Sequence, residues 1–162
     1  MIDILKGLFG NKKGVIQSPI EGKAVPISTV SDPTFGEEIL GKGIAIQPAK
    51  GRVVSPVDGT VALMFDTKHA VSIVSDDGAE ILIHIGLDTV KLKGKHFTAH
   101  AKADDKVKAG DLLLEFDIDK IAAEGYDVIA PVIICNTSDY ATIDTVTGKN
   151  VKERDRIMVL KK

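Results

Sequence analysis

From Val15 onward the chain reads as short apolar runs cut by Gly and Pro, with hydrophobic residues recurring at alternate positions, a pattern of strands rather than helices. The clearest alternation sets Ile81, Ile83, Ile85 and Leu87 against Glu80, Leu82, His84 and Gly86. It predicts a strand with one face in a core and His84 on the other, reachable face. The preceding run, Ala70 to Val74, is separated from Ala79 to Ile83 by the turn signal Ser75-Asp76-Asp77-Gly78. A β-hairpin follows, with His69 near the start of its first strand and His84 near the end of its second. If Val74 pairs with Ala79, the histidines lie opposite each other. A two-residue primed turn at Asp77-Gly78 makes them diagonal neighbours on one face, and a three-residue turn separates them.

The pattern also repeats. Ile16-Gln17-Ser18-Pro19-Ile20-Glu21-Gly22 recurs as Val53-Val54-Ser55-Pro56-Val57-Asp58-Gly59, and Val107-Lys108-Ala109-Gly110-Asp111 is echoed by Val151-Lys152-Glu153-Arg154-Asp155. The irregular offsets do not suit a solenoid. They predict an all-β fold, an antiparallel sandwich or barrel with pseudo-duplicated halves and only short helical turns. Asp32-Pro33 can open one such turn, running through Phe35 to Leu40, and Asp117 or Asp119 can cap another that ends before Gly125. Residues 1–13 carry Ile2, Ile4, Leu5, Leu8 and Phe9 at spacings of a short amphipathic helix. They read as a mobile or amphipathic tail ahead of a single domain over 14–162.

Composition narrows the function classes. A net charge of −2 and a pI near 6.1 leave no footprint for nucleic acid. The single cysteine, Cys135, excludes an internal disulfide and is expected to be a small buried hydrophobe in the run Val128 to Cys135. No apolar run approaches the ~20 residues of a membrane-spanning helix, so a cytoplasmic protein is expected. His96 and His100 have metal-like spacing only on a helix, which Gly94-Lys95 does not announce, and are expected to be solvated. A reachable histidine with another beside it suits metal binding or nucleophilic transfer of a group such as phosphoryl.

Thr67-Lys68-His69-Ala70, followed by Ile83-His84-Ile85-Gly86-Leu87-Asp88-Thr89-Val90 and Lys91-Leu92-Lys93-Gly94, resembles the active-site region of the glucose-family enzyme IIA of the bacterial phosphotransferase system. The resemblance extends through Ser18-Pro19, Asp32 to Phe35, Gly41 to Pro48, Ser55 to Gly59 and Val107 to Asp117. It implies a phosphoryl carrier of β-sandwich type. His84 would be the nucleophile through Nε2, with the Gly86 carbonyl holding its Nδ1 proton. His69 would donate to the phosphoryl oxygens, its tautomer set by Thr67, and Asp88 would orient the site or read charge on a partner. Phe35, Ile39, Leu40, Phe65, Val71 and Leu82 would form an apolar docking rim. The partners implied are the histidine phosphocarrier protein and an enzyme IIB domain of a sugar permease, with regulated transporters or kinases beside them. No cofactor is required, although zinc bridging His69 and His84 to a partner is compatible with such a site. The tail, ending in Asn11-Lys12-Lys13, resembles a weak membrane-surface anchor that would hold the carrier at the inner face of the membrane.

Three other readings compete. A phosphorylation-controlled regulatory module would use the same surface. A lipoyl- or biotinyl-type carrier would modify Lys68, but such a lysine belongs on an exposed turn, and the expected hairpin tip is Ser75 to Gly78. A zinc peptidase of a related duplicated fold ordinarily needs a His-x-His pair, which this chain lacks.

Overall fold

The computed structural model describes residues 13–162; the amphipathic segment expected over 1–13 lies, but for Lys13, outside the described residues. Three antiparallel sheets make up the fold. The large one has eight strands in the order β13(Lys149–Val151), β2(Gly22–Pro26), β3(Lys42–Pro48), β11(Ala130–Ile134), β7(Glu80–His84), β6(Ala70–Ser75), β5(Gly59–Met64) and β9(Lys106–Val107). Two three-stranded sheets complete it: β1(Val15–Gln17), β14(Arg156–Lys161) and β12(Thr142–Thr145), and β4(Arg52–Val54), β10(Leu112–Phe116) and β8(Phe97–Ala99).

The sequence echoes become paired loops. Ser18 N–H donates to the Asp155 carbonyl at 2.6 Å and Arg154 N–H to the Ser18 carbonyl at 2.9 Å; Ser55 and Asp111, Gly110 and Ser55 repeat the pattern at 2.8 Å each. Asp155 and Asp111 each accept from a backbone N–H three residues back, Lys152 and Lys108, at 2.8 Å. Two sequence repeats therefore form one structural unit, used twice. The large sheet follows the same symmetry, with β13-β2-β3-β11 mirrored by β9-β5-β6-β7 about the central pair Val132 and Ile83. The second half is inserted in the chain between β3 and β11.

Alternation along the strands decides what packs where. Ala24, Ile44, Ile46, Ile73, Ile81, Ile83, Val132 and Ile134 enter the main core, while Val25, Ala45 and Ile133 point to the opposite face. That opposite face is covered in the first half only, by the long β2–β3 connection, whose Ile27, Val30 and Phe35 form a second apolar cluster with Leu87 and Ile129. The corresponding β5–β6 connection is a short turn, and Leu63 and Val74 remain 47% and 37% exposed. A one-turn helix, α1(Pro33–Gly36), belongs to this cover; Asp32 caps it by accepting from Thr34 N–H at 3.0 Å, with Pro at the first position. It stops well short of the expected Leu40, because Glu38 takes a positive φ of 59° and turns the chain outward. The second, α2(Ile118–Ala123), is capped by Asp117, not Asp119.

Two expectations about single residues are corrected. Cys135 is exposed: β11 ends at Ile134, so the alternation that buries its neighbours no longer applies. His96 is not a solvated residue; its side chain is 12% exposed, with Nε2 against the Glu124 carboxylate. His100, exposed as expected, pairs separately with Glu115 at 2.7 Å, just past the end of β8 and not on a helix.

The duplicated units make a stability test. Ser18 and Ser55 are fully buried, and each hydroxyl donates to a carbonyl two residues on, Ile20 at 2.8 Å and Val57 at 2.7 Å. Ser18→Ala and Ser55→Ala each leave a buried carbonyl without that donor and should cost ~1–3 kcal/mol in urea denaturation. The double variant should cost close to the sum. A neutral result for either would show that its hydroxyl is dispensable to the unit.

Candidate functional site

The site forms where β6 begins and β7 ends. The hairpin register is the one expected to part the histidines: Ala70 pairs with His84, and Val74 with Glu80. Ser75 N–H donates to the Ala79 carbonyl, leaving a three-residue loop closed by Gly78 at φ +95°. The two imidazoles meet all the same, with ring centroids 4.8 Å apart and planes at 83°. The reason lies just upstream. Lys68 adopts φ +60° in the tight turn closed by its N–H on the Phe65 carbonyl, so His69 sits in a bend before the pleat begins. Its ring is not committed to the core-facing side that strand parity assigns. Its carbonyl still accepts from Ile85 N–H at 2.7 Å, which ties the bend to the end of β7.

Each ring has one nitrogen already engaged. His84 Nδ1 is 2.8 Å from the Gly86 carbonyl. A carbonyl only accepts, so Nδ1 carries the proton and Nε2 keeps its lone pair. His69 Nδ1 lies 2.7 Å from Thr67 Oγ1; if the hydroxyl donates, His69 carries its proton on Nε2. Phe35 packs on the His84 ring at 4.8 Å and Phe65 edges against His69 at 5.5 Å. His69 is 4% exposed, whereas His84 is half-buried. Asp88, at φ +60°, is exposed beside the strand end.

The apolar surroundings sort into support and surface. Phe35, at 4% exposure, and Val71, at 0%, are not on a rim. Phe35 turns inward from α1 to wall the His84 ring, and Val71 is core-facing by parity with Ile83. Ile39, at 69%, and Leu40, at 40%, are exposed as expected; Val90, 49% exposed, joins them. Phe65 and Leu82 are half-buried. Lys68 was expected to lie away from a hairpin tip, yet it is exposed on the β5–β6 turn. Position alone therefore does not disqualify it as a swinging-arm lysine. Among the described residues no group of three or more His, Cys, Asp or Glu side chains could hold a metal, and no helix is long and apolar enough to cross a membrane. A separate groove, lined by Lys50, His96, Glu115 and Asp117 among others, contains none of the site residues.

Sequence reading treated Asp32 only as a helix cap. In the fold its charge also acts on His84, together with that of Asp88. Burial pushes the His84 imidazole down, while the Gly86 carbonyl and the two carboxylates act in the opposite direction without cancelling it. His69 is pushed down to about 4, by burial first and then by the charge of His84. Both rings are thus neutral at pH 7, the form in which an imidazole is a nucleophile. Since folding depresses these pKa values, the unfolded chain binds more protons below pH ~6.5. Stability is retained above that pH and falls as the pH drops toward 4, by up to about 3 kcal/mol from His69. His69→Gln should flatten the slope of urea stability between pH 7 and 5; an unchanged slope would mean that His69 does not titrate as its burial requires.

Residues 14–140 match the family described as phosphoenolpyruvate-dependent sugar phosphotransferase system, EIIA 1. The chain is 51% identical over 146 residues to the PTS system beta-glucoside-specific EIIBCA component of Bacillus subtilis (strain 168), covering 90% of this chain and 24% of that protein. It is 47% identical over 141 residues to the PTS system glucose-specific EIIA component of Oceanobacillus iheyensis, covering 87% of this chain and 82% of the relative. It spans less than a quarter of the length of the beta-glucoside-specific relatives from Bacillus subtilis and Dickeya chrysanthemi. Glucose permease IIA from Mycoplasma capricolum superposes with a TM-score of 0.85 at 36% identity, covering 91% of this chain and 95% of that one. The family match and these likenesses agree: the chain belongs to the EIIA 1 family of the phosphoenolpyruvate-dependent sugar phosphotransferase system.

Proposed function

We propose that this chain carries a phosphoryl group on His84 Nε2, taking it from a histidine phosphocarrier protein and passing it to the cysteine of an enzyme IIB. The observation that carries the reading is the hydrogen bond from His84 Nδ1 to the Gly86 carbonyl: it leaves Nε2 with a lone pair, 4.8 Å ring to ring from His69. In the first step the lone pair attacks phosphorus, an Nε2–P bond forms, and the donor's N–P bond breaks with its electron pair returning to the donor nitrogen. In the second, the IIB thiolate forms an S–P bond and the pair returns to Nε2. The Nδ1 proton need not move in either step. His69, with Thr67 donating to its Nδ1, gives its Nε2–H to a phosphoryl oxygen, and Asp88 and Asp32 face the charge of the docking protein. Phosphoryl transfer asks for positioning and charge stabilisation more than for covalent machinery.

The docking rim in this reading is Ile39 and Leu40 with Val90, flanked by Phe65 and Leu82; Phe35 lies inward of it against His84, and Val71 belongs to the main core. The carrier works beside a membrane permease whose sugar this chain does not contact, on the cytoplasmic side. A phosphoryl group adds ~1.5–2 negative charges, so docking of regulated transporters or kinases at the same rim would depend on its presence. Zinc has a limited place: His84 Nε2, together with His69 Nε2 once the His69 proton moves to Nδ1 and Thr67 Oγ1 accepts it, would offer half of a tetrahedral shell, and a partner carboxylate with water would complete it. Zinc titrated calorimetrically into the isolated chain should bind weakly.

Incubation with enzyme I, the histidine phosphocarrier protein and phosphoenolpyruvate, followed by mass spectrometry, tests the carrier. His84→Ala should take no phosphate; stable phosphate on that variant at any residue would refute the assignment. His69→Gln should still be phosphorylated but pass the group on ~10²- to 10³-fold more slowly, the usual loss for a preorganised donor. Ile39→Asp should keep its circular dichroism, because the side chain is exposed, and should slow transfer at low carrier concentration while approaching the wild-type maximum at high concentration. A lowered maximum instead would place the damage in the chemical step.

A further inference from the structure

We propose that Thr89 and Asp127 are positioning residues that keep the proton of His84 on Nδ1, by clamping the two peptide units on either side of Gly86. The proposal rests on the reading of His84 as the nucleophile. The Gly86 carbonyl that accepts from Nδ1 shares its peptide plane with the Leu87 N–H, which donates to the Asp127 carbonyl at 3.0 Å. In the preceding plane, Gly86 N–H donates to the Ile129 carbonyl at 3.0 Å, and the Ile85 carbonyl accepts from Thr89 Oγ1 at 2.5 Å. Every polar group of both peptides is therefore engaged. A peptide plane tied at both ends cannot swing its carbonyl away from the imidazole without breaking a bond on its far side.

Two side chains hold the assembly. Thr89 is fully buried. It supplies the hydroxyl on Ile85, and its methyl group packs so closely under Gly86 that a Cβ there would come within 2.5 Å of it. Gly86 itself stands at φ +78°, where a side chain is strained in any case. Asp127 Oδ1 accepts from Ile129 N–H at 2.9 Å, closing the short turn whose two carbonyls, Asp127 and Ile129, receive the N–H groups of the clamp. Neither side chain hydrogen-bonds to an imidazole. Both act through Gly86, and what they control is the tautomer.

The tautomer is read directly from two-bond ¹H–¹⁵N correlations of the unphosphorylated protein labelled with ¹⁵N-histidine. In the wild type His84 should show Nδ1–H alone. Thr89→Val keeps the shape and removes the hydroxyl, and Asp127→Ala opens the turn; each should populate Nε2–H at His84 and lower the rate of phosphate acceptance roughly 10-fold, the scale on which groups supporting a reactive ligand act. Thr89→Ser, which restores the hydroxyl, should return the wild-type tautomer. His84 remaining wholly Nδ1–H in both Thr89→Val and Asp127→Ala would overturn the clamp. If Thr89→Val does not fold, Asp127→Ala decides alone, since Asp127 is exposed. Because no phosphate is present, a failed clamp is distinguishable from a failed carrier: the latter shows as phosphate on His84→Ala, whatever the tautomer.

Discussion

In the carrier reading proposed above, His84 must hold its one proton on the nitrogen that does not react, and the geometry around it meets that constraint. The Gly86 carbonyl meets it from one side at 2.8 Å. Burial meets it from another by disfavouring the doubly protonated ring. Phe35 walls the ring, and the bend at Lys68 delivers a second imidazole without committing it to the strand. The depressed histidine pKa values reduce stability in acid.

The duplicated architecture was legible because it is written in loops. Ser-Pro and Lys-to-Asp segments recur with their hydrogen-bonding residues at the same offsets, so repetition in sequence implied repetition in structure. The alternation in β7 likewise told the buried face from the reachable one: Ile81, Ile83 and Ile85 are all at 0% exposure. Resemblance, rather than periodicity, pointed to the phosphoryl chemistry proposed for His84.

Most of the illegible parts lie where regular alternation stops. The hairpin loop holds three residues, and parity would then part the histidines, but His69 lies outside the pleat. Phe35 and Ile39 were read as one patch although a positive φ at Glu38 turns them opposite ways. Cys135 falls just past the end of β11, and Val71 was assigned to the surface by resemblance although its parity with Ile83 is that of the core. The Thr89 hydroxyl left no mark in periodicity, since a threonine beginning a turn looks the same whether it caps or clamps.

The pairing of β1 with β14 bears on how such a unit can be tethered. Leu160 N–H donates to the Gly14 carbonyl at 2.7 Å, and Gly14 N–H to Asp77 in the β6–β7 loop at 2.8 Å. Gly14, just before β1, and Leu160, near the end of β14, thus lie together in one small region beside that loop. The histidines stand at the other end of the same hairpin, on the order of 20 Å away at ~3.3 Å per strand residue. A tether attached at that pole would leave the surface around the histidines, at the other, uncovered. The same arrangement suits a unit that stands nearly alone and one within a longer polypeptide, and the chain covers 82% of one relative and 24% of another.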